Sequence, residues 1–89
     1  MSGQTALSTD QLDTLIGLLE ERLRVIADHE WRDRDPDAHL RRLGEVSEAI
    51  MTFHQVNRDA IPPRLDHFLG NSSLDKALEW AREARPSTP

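Results

Sequence analysis

Trp31-Arg32-Asp33-Arg34-Asp35-Pro36 is the stretch whose reading decides the fold. It interrupts two apolar stripes at helical spacing, one from Leu12 to Ile26 and one from Leu40 to Ile61. Asp35 has the side chain of an N-cap, Pro36 the fixed φ of a first helical residue, and Asp37 the charge that a helix start favours. Two helices joined by so few residues pack as antiparallel neighbours. The expected class is therefore all-α, built on an antiparallel helical hairpin.

Towards the N-terminus, Leu12, Leu15, Ile16, Leu19, Leu23 and Ile26 fall within an arc of about 100°, the buried face of a core-facing helix. Ser8 suits its N-cap, with Gln11 at N3 closing a capping box and Asp10 in the first turn; Leu7 at N′ can staple onto Leu12 at N4. This helix is expected over about 8–31, after a disordered N-terminus at 1–7. Leu18 and Val25 project outside the arc and call for a second partner, either the C-terminal helix or another copy of the chain. Gly17 sits in mid-helix, where glycine costs about 1 kcal/mol relative to alanine.

Towards the C-terminus, Leu43, Val46, Ile50, Phe53, Ala60 and Ile61, flanked by Leu40 and Ala49, stripe a helix expected over 36–60. Ile61-Pro62-Pro63 ends it, because the residue before a proline is pushed out of helical geometry and the ring removes a donor. A short helix over 63–69 follows, stopped by Gly70, and then another over 73–85 capped by Ser72 or Ser73. The last carries Leu74, Ala77, Leu78 and Ala81, with Trp80 to one side, and runs into a flexible tail at 86–89. Residues 8–85 thus read as one domain, a hairpin plus a short C-terminal helix, and two copies are expected to form a four-helix-bundle-like dimer.

Composition narrows the function. In a chain of 89 residues a single core is marginal, and association often supplies the missing stability. With 0 cysteines, neither disulfides nor thiolate metal sites are available. The formal charge of −5, with acids and arginines interspersed, provides no concentrated basic face, so nucleic acid is not expected as a partner. No apolar run approaches the roughly 18 residues of a membrane span, and Met1 to Leu7 has no leader pattern, so no membrane partner and a cytoplasmic location are expected. The glycines at 3, 17, 44 and 70 form no phosphate loop, and no strand offers a nucleophile elbow. No catalytic residue and no cofactor are expected.

The 4 histidines are the remaining source of chemistry. None shares a helical face with another at a spacing of three or four, so zincin and di-iron patterns are absent. His29, Glu30, Asp33 and His39 nevertheless gather near the hairpin turn, where imidazole and carboxylate could hold zinc. The same residues also suit a purely structural role: Glu30 and His39 project onto the centres of the two stripes and would meet as a partly buried pair. His54 and Asn57 lie one turn apart at the buried face; they could line a pocket, or fix register as a polar seam residue does.

Leu15-Ile16-Gly17-Leu18-Leu19-Glu20-Glu21-Arg22-Leu23-Arg24-Val25-Ile26 resembles the first helix of the small all-helical chorismate mutases. The resemblance covers residues 15–26 and implies that Arg22 or Arg24 would take the place of an arginine gripping a substrate carboxylate. The family's later lysine on that helix has no counterpart, since Lys76 is the first lysine, and Asp37-Ala38-His39-Leu40 departs from the family's start to the second helix.

Aromatics and arginines are common interface anchors. Trp31, with Arg32, Arg34, Arg41 and Arg42 nearby in sequence, makes the turn a candidate recognition corner, and Leu18 and Val25 make the flank a candidate assembly surface. The expected function is a small non-catalytic oligomerisation or protein-interaction module, a homodimer that can also take another protein. The alternatives are a bundle binding a small ligand or metal and, through the resemblance, a mutase-like enzyme.

Overall fold

In a computed structural model, which describes residues 7–71 and 73–85, all regular structure is helical. The elements are α1 (Thr9–Ala27), α2 (His29–Arg34), α3 (Pro36–Val56), a 3₁₀ turn (Arg58–Ala60), α4 (Pro63–Gly70) and α5 (Leu74–Ala84). The segments 1–6 and 86–89, expected as disordered tails, and the cap candidate Ser72 lie outside the described residues.

Local chemistry sets each boundary. The capping box at α1 is complete: Ser8 Oγ accepts from Gln11 N–H at 3.1 Å, and Gln11 Oε1 accepts from Ser8 N–H at 2.8 Å. Leu7, placed in the disordered N-terminus by the sequence reading, is instead buried in the core, so ordered chain begins before the cap. The first helix also stops at Ala27, short of residue 31, because Asp28 caps in both directions. Its N–H reaches back to Val25 O at 3.2 Å while its carboxylate accepts from Trp31 N–H at 3.1 Å, starting α2.

Asp35 then caps α3, accepting from Ala38 N–H at 3.2 Å, with Pro36 in the first turn. α3 ends at Val56 rather than near residue 60. Pro62 has no N–H for the Arg58 carbonyl, so the chain tightens, and Ile61 N–H is shared between Asn57 O at 3.1 Å and Arg58 O at 3.3 Å. Ser73 stands at the N-cap of α5 without a side-chain cap bond.

Cross-links establish an antiparallel hairpin of α1 and α3. Gln11 meets Asn57, Glu21 meets Arg42, and Val25 meets His39, so one sequence number rises as the other falls. α5 lies across α1, tied by Arg82 to Glu20 at 2.6 Å and by Arg85 to Asp13 at 3.0 Å. Leu12, Leu15, Ile16 and Leu19 of α1 join Val46, Ile50 and Phe53 of α3, Leu65 and Leu69 of α4, and Ala77, Leu78 and Ala81 of α5 in one core. Trp80 packs against it from the side.

The cover supplied by α4 and α5 is shorter than the hairpin. Leu74, at the start of α5, lies beside Arg22, and the α1 stripe beyond that level is open: Leu23 is 39% exposed and Ile26 37%. On α3, Leu40 is 68% exposed. These three were expected in the core and are surface residues, because among the described residues no element covers the turn end of this face. The two side chains assigned to an uncovered flank also differ from expectation. Leu18 is half-buried against the core, and Val25, outside that cluster, is only 4% exposed, with its carbonyl bonded to His39.

Candidate functional site

The turn end is organised by His39, at 6% exposure the buried polar side chain among the described residues. Its Nε2 stands 2.6 Å from Val25 O; a carbonyl only accepts, so Nε2 carries the proton. The Trp31 ring meets the imidazole edge-on, centroids 5.5 Å apart and planes at 87°. Glu30 is exposed and is not the partner of His39, contrary to the sequence reading. The break at Asp28 rephases the following helix, turning Glu30 to solvent and bringing Trp31 over His39.

The break also scatters the metal candidates. His29, Glu30 and Asp33 are exposed while His39 points its Nε2 inward, and among the described residues no group of three or more His, Asp or Glu is placed to hold a metal ion. Arg34 and Arg41 are exposed and outside every ion pair among the described residues. Arg42 is drawn away from Trp31 by Glu21 at 3.2 Å and Glu45 at 3.4 Å. Hydrogen bonds from Arg24 and Arg42 hold the Glu21 carboxyl below its ordinary range, Arg82 does the same for Glu20, and Glu21 in turn raises Arg42.

The polar pair on α3 is satisfied within the chain. Asn57 Oδ1 accepts from Gln11 Nε2 at 2.8 Å, and its Nδ2 donates to Phe53 O at 3.0 Å. His54 Nε2 lies 2.7 Å from Asp66 Oδ1, tying α3 to α4. His54 also lines a cleft of about 210 Å³ with Arg22, Ser47, Ile50, Met51, Leu69 and Leu74. Of the arginines singled out by the sequence, Arg24 lies on the surface with Glu21 at 2.7 Å, whereas Arg22 faces this cleft.

Two residues of consequence, Asp28 and Asp66, and one link, Gln11 to Asn57, escaped the sequence reading. Asp28 carries an N-cap signature, with Glu30 following in the first turn, that was readable inside the helix expected over 8–31. The Gln11 that closes the capping box also anchors Asn57, and Asp66 orients His54; these last two contacts are tertiary links with no local signature. Among the described residues no helix is long and apolar enough to cross a membrane. No family model matches the chain, and neither a curated protein nor a solved structure is found to match it.

Proposed function

We propose that this chain is a non-catalytic oligomerisation and protein-interaction module whose first partner is a second copy of itself. The observation that carries the reading is the open half of the hairpin. Leu23 and Ile26 continue the stripe of Leu12, Leu15, Ile16 and Leu19, which is buried where α5 and α3 cover it and partly exposed beyond. On α3, Leu43 and Leu40 lie one and two turns from Ser47 at the cleft edge, along the same ridge. A second hairpin laid on this face under a C₂ axis would extend the layer that α4 and α5 begin, giving a four-helix-bundle dimer.

Magnitudes support a weak, concentration-dependent association. Burying what Leu23, Ile26 and Leu40 still expose contributes about 2–4 kcal/mol per copy. Two copies gain about 4–8 kcal/mol from these side chains and association costs on the order of 4–15 kcal/mol, so the net is at most about 4 kcal/mol and these contacts place the dimer near the millimolar range. Sedimentation equilibrium of Ile26→Glu and Leu40→Glu tests the reading, with Val56→Glu as a control on a separate exposed aliphatic. The first two are expected to sediment as monomers with unchanged helicity, and the control to associate like the parent. Equal association of all three would overturn the proposal.

A further inference from the structure

The cleft at the junction of α1, α3 and the α4–α5 connection has features that self-association leaves unused. Its floor is Ile50 and Leu69, both buried, with Leu74 half-buried beside them and Met51, 59% exposed, at the rim. Two cationic or polar side chains converge on that apolar floor, Arg22 from α1 and His54 from α3, with Ser47 two helical turns from His54 on the same face. This is the composition of a small-ligand site, mostly apolar walls with a few placed polar groups.

Arg22 is the unusual member. The acids of α1 that could neutralise it are already engaged: Asp13 by Arg85, Glu20 by Arg82, and Glu21 by Arg24 and Arg42. Among the described residues Arg22 takes part in no ion pair, although it is half-buried. Asp66 does not serve it either, since its carboxylate is held by His54 at 2.7 Å. Asp75 shares the adjoining shallow cleft with Arg22 and Lys76, but among the described residues it forms an ion pair with neither. A guanidinium without a carboxylate, set over an apolar floor, lacks one ligand: an anion with an aliphatic body.

We propose that this cleft binds a small aliphatic monocarboxylate, its carboxylate on Arg22 and its chain over Ile50, Leu69 and Leu74. At about 210 Å³ the space is below that of drug-sized sites, roughly 300–1,000 Å³, which restricts the occupant to a short chain. His54, held by Asp66, closes one side and positions the ligand without touching a reacting bond.

The test is a ¹H–¹⁵N correlation titration of the full chain with hexanoate, set beside its neutral isostere hexanamide and beside acetate, which has the charge without the chain. Hexanoate is expected to saturate with a Kd of about 1 mM or tighter, shifting amides around Arg22, Ser47 and Leu74. Hexanamide and acetate are each expected to bind about tenfold more weakly or worse. Arg22→Gln should lose at least that factor with an unchanged thermal melt, and Arg22→Lys should recover part of it. Met51→Glu, at an exposed rim position, should repel the carboxylate and leave the fold intact. Equal binding of hexanoate and hexanamide, no saturable shift with hexanoate, or full affinity in Arg22→Gln would each overturn the proposal. Loss of self-association in Ile26→Glu leaves these outcomes unchanged, which separates this site from the dimer.

Discussion

Replacing His39 by alanine is the perturbation that most sharply separates the observed turn from the one the helical stripes suggest. The imidazole donates to Val25 O at 2.6 Å and receives the Trp31 ring edge-on. The hydrogen bond contributes about 0.5–1.5 kcal/mol and the aromatic contact about as much again. Val25 O keeps the Asp28 N–H at 3.2 Å, so it is not left unpaired, which limits the loss. With the vacated space added, His39→Ala should cost about 2–3 kcal/mol, a large share of the roughly 4–13 kcal/mol that a chain of 89 residues commands. Thermal unfolding by circular dichroism should show Tm falling by at least about 8 °C. In a cycle with Trp31→Ala the two changes should couple by about 0.5–1.5 kcal/mol. Glu30→Ala, at an exposed position, should stay within about 0.5 kcal/mol of the parent. A harmless His39→Ala beside a costly Glu30→Ala would refute the reasoning and restore the buried Glu30–His39 pair.

Three further outcomes follow from single contacts. Ser8→Ala removes one half of the capping box and should destabilise by about 1 kcal/mol in urea unfolding. Gly17→Ala and Gly44→Ala should each stabilise by about 0.5–1 kcal/mol, because a Cβ at either mid-helix position meets nothing within 4 Å. Glu20 and Glu21 have carboxyl groups held below the ordinary 4.5 by their arginines, so their contribution is fully present above that pH and is lost as pH falls through the lowered values. Urea midpoints taken from pH 7 to pH 3 should therefore show Glu21→Gln less stable than the parent at neutral pH, the gap closing in acid; a gap that widened in acid would contradict the ion-pair assignment.

The hairpin was legible because Asp35-Pro36 and the capping box are local devices, each complete within a few residues. The register of the core was legible for the same reason as far as Leu19, where the 3.6-residue stripe coincides with real cover. Periodicity says which residues share a face and nothing about how long the covering element is, so Leu23, Ile26 and Leu40 look identical to core positions in the sequence. The turn was misread through one residue. Asp28 lies inside a helix read as continuous to residue 31, and a break there rephases every later side chain, exchanging Glu30 for Trp31 at His39. The cleft was glimpsed only as His54; Arg22 looked like one arginine among 10, and what distinguishes it is that it is half-buried beside an apolar floor and, among the described residues, outside every ion pair. That is a tertiary fact.

Self-association through the open half of the hairpin is tested most directly by an intermolecular distance across it. The chain has 0 cysteines, so Ala27→Cys, at the exposed end of α1, carries one spin label per copy. Double electron–electron resonance at a concentration where most of the chain is dimeric should give a single intermolecular distance within about two helix diameters, roughly 20–25 Å between backbones, abolished by Leu40→Glu. A featureless decay from a sample whose mass is twice 10.2 kDa, or a mass of 10.2 kDa at every concentration up to about 1 mM, would contradict the account.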